Sequence, residues 1–355
     1  MIAQASRFET EKTQPVERDG LKTQAAANAL EVGRDGARPS EREERQTFAE
    51  TNGEPADEFI YLLGRPTLDK FLRFMIHQAV NGRSMDEGAL TDEWRAAYGH
   101  IQTLAKEEAG IADRPPISKL DPRLDSLCAE LLKAPLIVHG FNKVPANFAM
   151  VELDRLVVYQ RHIDLAHVRR LKDKIGPAPT EEEIFRICLP CDPPQPPMKW
   201  ARAQQNTYVF LSPSNDLRFL GVMPLQASQV TNYPPPGSLA GVVGIAVGFG
   251  SNFLNVVDAE NRLVLHNGSH RAVALRELGV THAPCLIQFV SSLDELQVVA
   301  SGDLRERPDY YLRHPRPSML KDYLDPKLRK ILAVHRRLRQ VTVKFEVNET
   351  YVPAM

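Results

Sequence analysis

The stretch Asn267-Gly268-Ser269-His270-Arg271 places an amide, a glycine, a hydroxyl, an imidazole and a guanidinium side by side. It follows an apolar run and precedes a segment with the apolar spacing of a helix. The first turn of a helix leaves backbone N–H groups unpaired and partly positive, so it binds anions readily. Glycine permits close backbone approach, and the three side chains after it add donors for an oxyanion. The pattern predicts a phosphate site.

A purely structural interpretation of this junction stays open. Ser269 can serve only as a helix cap, and His270 and Arg271 can make hydrogen bonds that hold the fold together. A strand that meets a helix at a glycine is common, and this one has neither the Walker A nor the Rossmann spacing.

Two other groups have the residue types for chemistry. Cys188 and Cys191 have the spacing of a redox pair or of half a zinc site. The other two cysteines form no second pair, so burial is the favoured interpretation and we assign no residue as a metal ligand. The glycine-rich segment 248–252 could cradle phosphate, but a simple chain turn is favoured.

Apolar spacing predicts the elements that position the junction. Strands are predicted at 148–154, 156–159, 184–189 and 283–290, with a hairpin at 255–265 that turns around 258–261. A helix capped by Asp164 is predicted to run to Ile175 and to end at Gly176. Residues 241–250 fit a strand or a helix equally well.

The N-terminal third divides in two. Residues 1–58 hold 13 acidic and 8 basic side chains and few large apolar ones, which is typical of a disordered tail. Residues 59–145 are predicted to be a helical extension, with three apolar stripes that begin near Leu68, Trp94 and Leu124.

The C-terminal segment 301–355 is basic. Residues 303–340 hold eleven Lys and Arg against five Asp and Glu, with tyrosines among them. Such a segment can bind nucleic-acid phosphates, and we consider DNA as a partner, but a solvated helix at 326–338 is the favoured interpretation. A closing strand is predicted at 341–347.

Composition restricts the class of protein. The 355 residues have a net charge of −1 and are 43% hydrophobic, which is typical of a soluble globular protein and not of one that coats nucleic acid. No apolar run is long enough for a membrane helix and no signal peptide is evident, so we expect no membrane partner. Four cysteines are consistent with a cytoplasmic location.

Residues from about 146 to 295, within a predicted core domain of 146–300, resemble the ParB/sulfiredoxin-like (ParB/Srx) superfamily, with a long insertion at about 192–250. The matching features are a hairpin, a Gly-Ser-His-Arg turn, a short alanine-rich helix, a Leu-Gly end, and a strand that opens with Ala-Pro. They are Gly268-Ser269-His270-Arg271, Ala272-Val273-Ala274-Leu275, Leu278-Gly279 and Ala283-Pro284. Upstream, a strand that ends at Gln160 and a helix that ends at Ile175 match the same plan. The fold it implies is α/β (α+β).

The resemblance implies a nucleoside triphosphate, ATP or CTP, with Mg²⁺. By position, the residues from Asn267 to Arg271 (Asn267, Gly268, Ser269, His270 and Arg271) would hold phosphates, with His270 also a catalytic candidate. Gln160, Arg161 and His162 would line the opposite side. Kinase members use an acidic base near the first strand, where this chain has Glu152 and Asp154.

The chain departs from the family in three places. Ser269 stands where sulfiredoxins have cysteine, and His162 stands where partition proteins have arginine. No helix-turn-helix pattern follows the core. We therefore expect ATP-dependent phosphotransfer to a small hydroxyl compound. The alternative is a non-catalytic nucleotide switch or DNA-binding module, and nuclease activity has only fold analogy behind it. The substrate and the oligomeric state are not indicated.

Overall fold

A computed structural model describes residues 56–65, 67–191, 194–230 and 237–353, which form an α+β fold. The strands are β1 (Ala56–Leu62), β2 (Ile117–Ser118), β3 (Ala146–Glu152), β4 (Val157–Val158), β5 (His162–Asp164), β6 (Lys199–Gln204), β7 (Thr207–Ser212), β8 (Leu217–Leu225), β9 (Val242–Phe249), β10 (Asn255–Ala259), β11 (Arg262–Asn267), β12 (His282–Phe289), β13 (Arg329–His335) and β14 (Arg339–Lys344).

The α-helices of the described residues are α1 (Leu68–Gln78), α2 (Glu87–Glu107), α3 (Asp125–Lys133), α4 (Pro135–Gly140), α5 (Leu165–Ile175), α6 (Glu181–Cys188), α7 (Ser269–Glu277), α8 (Leu293–Val299), α9 (Gly302–Glu306) and α10 (Pro308–Leu312).

A mixed six-stranded sheet, ordered β2-β3-β12-β10-β11-β4, forms the centre of the fold. β10 and β11 form the predicted antiparallel hairpin, and β12 lies parallel to β10. Glu260 and Asn261 make the turn with positive φ angles of 47° and 64°, which suit a tight hairpin connection. Helix α7 packs on this sheet with four successive buried residues, Ala272–Leu275 (Ala272, Val273, Ala274, Leu275). A helix buried on nearly all sides fixes the position of its own N-terminus.

The N-terminal and C-terminal segments meet in a second sheet, ordered β13-β1-β5. The predicted helices at Leu68 and Trp94 are confirmed as α1 and α2, and Phe71, Met75 and Ile101 from them pack in a core beside this sheet. β1 includes residues 56–58, which the prediction placed in the tail, because they pair with residues 333–335 of β13. The rest of the predicted tail, 1–55, lies outside the described residues.

Two element predictions are wrong. Of residues 184–189, predicted as a strand, 184–188 belong to helix α6 and Leu189 is its C-cap, because a capping box between Thr180 and Glu183 starts a helix there. Residues 326–338 contain strand β13 instead of a helix. Its side chains alternate, with Ile331 49% exposed and Leu332 and Val334 only 7% and 4% exposed.

The insertion at 192–250 carries its own strands. β6, β7 and β14 form one sheet, so the predicted closing strand completes the insertion instead of the central sheet. The ambiguous glycine-rich segment is strand β9, which pairs with β8. None of the helices in the described ranges is both long enough and apolar enough to span a membrane.

Candidate functional site

Gly268 makes the turn between β11 and α7 with φ +96°, a conformation that glycine adopts without strain. A Cβ atom at this position would lie 2.6 Å from Cδ1 of Leu254 and 3.2 Å from its Cα. The Asn267 side chain holds the turn from both sides. Its Oδ1 accepts from the Gly268 N–H at 2.8 Å, and its Nδ2 donates to the carbonyl of Ser251 at 2.5 Å.

The junction opens into a cavity of about 530 Å³, here called the junction cavity. Residues 267–271 form one wall, and α5, the end of α6 and the segment 194–196 form others. The insertion closes it with residues 214–216, Phe249, Gly250 and Asn252. The segment 248–252 is the end of strand β9 and the start of the connection to β10, and Phe249, Gly250 and Asn252 from it line the cavity. The volume lies in the range of small-molecule sites.

The lining of the junction cavity is predominantly basic. Arg170, Lys174 and Arg186 contribute positive side chains, and among the described lining residues Asp216 is the one carboxylate. Arg186 pairs with Glu182, whereas neither Arg170 nor Lys174 forms a hydrogen bond or ion pair within the described ranges. Together with the positive end of α7, these charges favour an anionic ligand.

Arg271 is mainly structural. It is only 5% exposed, and its Nη1 donates to the carbonyls of Ile187 and Cys188 at 3.0 Å each and to that of Asn252. The first two carbonyls lie at the C-terminal end of α6, where helix carbonyls lack partners. Burial lowers the pKa of Arg271 to about 10, so the side chain stays charged at neutral pH. Nη1 therefore has a structural role, and Arg271 is also one of the residues that line the junction cavity.

His270 is held between two helices. Its Nε2 accepts the backbone N–H of Asp164 at 3.0 Å, and its ring meets the edge of His167 at a centroid distance of 5.0 Å. Burial, and then the positive charges around it, lower the pKa of His270 to about 3. The ring is therefore neutral with its proton on Nδ1, which makes His270 a possible hydrogen-bond donor but a weak base.

The predicted opposite side of the site is divided. Gln160 lines the junction cavity, but Arg161 and His162 line a different one, here called the second cavity. Gln160 lines both, and its Nε2 donates to the carbonyl of His162 at 2.9 Å. Arg161 forms an ion pair with Asp303 instead of facing the junction.

The two predicted carboxylate bases lie at the wrong end of α7. Asp154 pairs with Arg276 in the last turn of α7 at 2.8 Å, and Glu152 is in register with His282 on β12. The nine residues of α7 span about 13 Å at 1.5 Å per residue, so both carboxylates are remote from Ser269. The structure does not bring Glu152 or Asp154 to the junction.

Cys188 is buried at the end of α6, and Cys191 is exposed. Burial raises the pKa of Cys188 to about 12, which keeps the thiol protonated and unreactive. Across the described ranges no three His, Cys, Asp or Glu side chains lie close enough to hold a metal ion.

The sequence interpretation missed Arg170 and Lys174. They lie four residues apart on α5, away from the apolar stripe that was used to predict this helix, and that spacing was the available signal. The contribution of 214–216 could not be found in the same way, because it depends on how the insertion folds back.

Comparison with known proteins gives no relative: no family model, no curated protein and no solved structure matches this chain.

Proposed function

We propose that the junction cavity binds the phosphates of a nucleoside triphosphate, ATP or CTP, in a core of the ParB/Srx type. The observation that carries the proposal is the pair of cations Arg170 and Lys174, which line the same cavity as the N-terminus of α7 and whose side chains have no partner among the described residues. Gly268 makes the positive-φ turn that starts this helix, and a side chain there would strike Leu254. Both features favour an extended anion over a neutral ligand.

Mg²⁺ fits this site through the nucleotide. Mg²⁺ is commonly held by one or two carboxylates together with substrate phosphates and water. Asp216 can supply the carboxylate, although Arg218 now pairs with it. Bound Mg²⁺ would neutralise phosphate charge and make the terminal phosphoryl group easier to transfer.

The reaction that we propose is phosphotransfer from the nucleotide to a small hydroxyl compound. Positioning and electrostatic stabilisation account for most of phosphoryl-transfer catalysis, and the basic lining supplies both. His270 contributes a neutral donor and not a base, because its Nε2 already accepts the backbone N–H of Asp164.

The test is a thermal-shift panel of ATP, CTP, GTP and ADP, with and without Mg²⁺. Wild type should gain stability with rising concentration of the preferred triphosphate, since a ligand that binds only the folded state stabilises it. The double variant Arg170→Ala/Lys174→Ala should lose most of that gain. Arg169→Ala is the matched control, because it lies on the same helix but outside the cavity and pairs with Glu58. Equal shifts in all three proteins would refute the proposal.

A further inference from the structure

The second cavity, of about 710 Å³, exists because the N-terminal extension packs against the core. One side of α1 supplies Lys70, Arg73, Phe74 and His77, and β1 supplies Tyr61. Residues 159–162 and the start of α9 complete it. These side chains come from distant parts of the chain, so their convergence is a property of the fold.

The charges of the second cavity favour a ligand with an anionic group. Lys70, Arg73 and Arg161 line it against one carboxylate among its described residues, that of Asp303. Asp303 neutralises the charge of Arg161. Arg73 pairs with Asp69 on an exposed surface, where an ion pair contributes little to the free energy of folding. Lys70 makes no hydrogen bond or ion pair within the described chain. An anion can therefore bind to Lys70 and Arg73 without breaking a buried ion pair.

An aromatic wall faces these cations. Phe74 lies between Tyr61 and His162, with ring centroids 4.6 Å and 5.5 Å away. Burial lowers the pKa of His162 to about 4, so at neutral pH its ring is an uncharged flat surface. Flat side chains of this kind pack against the apolar face of a ring. Tyr61 is only 1% exposed, so the half-buried rings of Phe74 and His162 are the ones that can pack against a ligand ring beside these cations.

Gln160 connects the second cavity to the junction cavity, because it lines both. The two cavities are therefore neighbours at Gln160. Asp303 accepts hydrogen bonds from Arg161, Tyr311 and Arg307, all at Oδ2, and its Oδ1 accepts none from the described residues. That oxygen is available to a ligand hydroxyl.

We propose that the second cavity binds the phosphoryl acceptor, a ring-bearing hydroxyl compound with an anionic group, such as a sugar phosphate. This assignment rests on the proposed function. The acceptor oxygen forms a bond to the γ-phosphorus, the bond from that phosphorus to the β,γ-bridging oxygen breaks, and the hydroxyl proton passes to Oδ1 of Asp303. The nucleoside diphosphate leaves, and nothing is oxidised or reduced.

The experiment measures ribose 5-phosphate binding to the full chain by calorimetry, with neutral ribose as the comparison ligand. Lys70→Ala/Arg73→Ala should weaken ribose 5-phosphate about tenfold or more and leave triphosphate affinity within about twofold. Arg170→Ala/Lys174→Ala should do the reverse. The control is Arg95→Ala, because the Arg95 side chain is 68% exposed and that of Arg73 is 66% exposed, and each pairs within its own helix.

Catalysis is tested by nucleotide turnover with ribose 5-phosphate present. Asp303→Asn should lower kcat about 100-fold, since the variant removes the proton acceptor. Ribose 5-phosphate affinity should not fall, because the loss of the carboxylate charge leaves Arg161 free to meet the anionic group.

Three outcomes overturn the inference. The first is no binding of ribose 5-phosphate, and the second is binding that is indifferent to Lys70→Ala/Arg73→Ala. The third is ribose 5-phosphate binding that responds to those substitutions in a protein that binds no triphosphate, which would refute the proposed function and with it the acceptor role. Triphosphate binding without any effect of the second-cavity variants would leave the proposed function standing and refute this inference alone.

Discussion

The backbone N–H of Asp164 donates to Nε2 of His270 over 3.0 Å, which ties the start of α5 to the start of α7. The same Asp164 caps α5 through its side chain, which accepts the N–H of His167 at 3.1 Å. Helices α5 and α7, which both line the junction cavity, are thus joined at their N-termini by one histidine. Its neutral state is required, because a protonated Nε2 could not accept the bond.

This contact predicts a loss of stability in mild acid. The pKa of His270 is about 3 in the folded protein and near 6.5 when unfolded, so between these values only the unfolded chain takes up the proton. The stabilisation is complete above pH 6.5 and is lost as the pH falls. His270 alone should account for about 2 kcal/mol of the decrease in unfolding free energy from pH 6.5 to 5.

Urea unfolding at several pH values measures this slope. His270→Gln keeps an acceptor for the Asp164 N–H but does not titrate. Its unfolding free energy should therefore change less steeply with pH than that of wild type, by the amount that corresponds to the uptake of one proton on unfolding. His139→Gln, at an exposed position, should retain the wild-type slope. A variant slope equal to the wild-type slope would show that His270 is not the buried neutral group described here.

Gly268→Ala should destabilise the protein and reduce the nucleotide-induced thermal shift. The substitution meets a positive φ of 96° and a contact of 2.6 Å with Leu254, with an expected cost of about 2–3 kcal/mol. Gly279→Ala is the matched control, because it has φ +85° but nothing within 4 Å of the added Cβ. Chemical denaturation should show the larger loss of unfolding free energy for Gly268→Ala. Equal losses in the two variants would mean that backbone strain from the positive φ, and not the contact with Leu254, causes the destabilisation.

Arg271→Met should cost about 3 kcal/mol of unfolding free energy, because it leaves buried carbonyls at the end of α6 without donors. Arg276→Met, on the same helix, removes a partly exposed pair with Asp154 and should cost about 1 kcal/mol or less. The two variants are compared by their urea midpoints. If Arg271→Met kept full stability and lost only the nucleotide-induced shift, Arg271 would be a phosphate ligand and not a structural residue.

The elements that could be predicted are those with a local signal. Asp164 and Gly176 bound α5 as expected, and the hairpin turns at Glu260 and Asn261 inside the predicted 258–261. The error at 184–189 arose because a short apolar run fits a strand and a helix equally, and the capping box at Thr180 decided between them. β13 was missed because its pairing with β1 joins residues more than 250 positions apart, and no local pattern carries that information.

The part of the site that could be predicted is the part whose residues are contiguous in the sequence. The junction residues are contiguous, so their meeting at one helix start follows from the chain itself. Arg161 and His162 follow Gln160 directly, yet they face the second cavity because α1 packs against them. The prediction of Asp154 as a base at the junction was wrong for a related reason. Asp154 forms an ion pair with Arg276, and only the tertiary fold reveals this contact.

The basic segment 303–340 should not bind DNA strongly. Its net charge is largely compensated, because most of its cations form ion pairs: Arg307 with Asp303, Arg313 with Glu260, Arg316 with Asp322, Lys321 with Glu108, Lys330 with Glu93 and Arg336 with Asp57. Phosphate contacts would require these pairs to break, so little counterion release is expected. Retention on duplex DNA at low salt should be weak and should not change in the triple variant of Arg336, Arg337 and Arg339 to alanine. Retention that falls steeply with salt and disappears in that variant would favour the DNA-binding alternative.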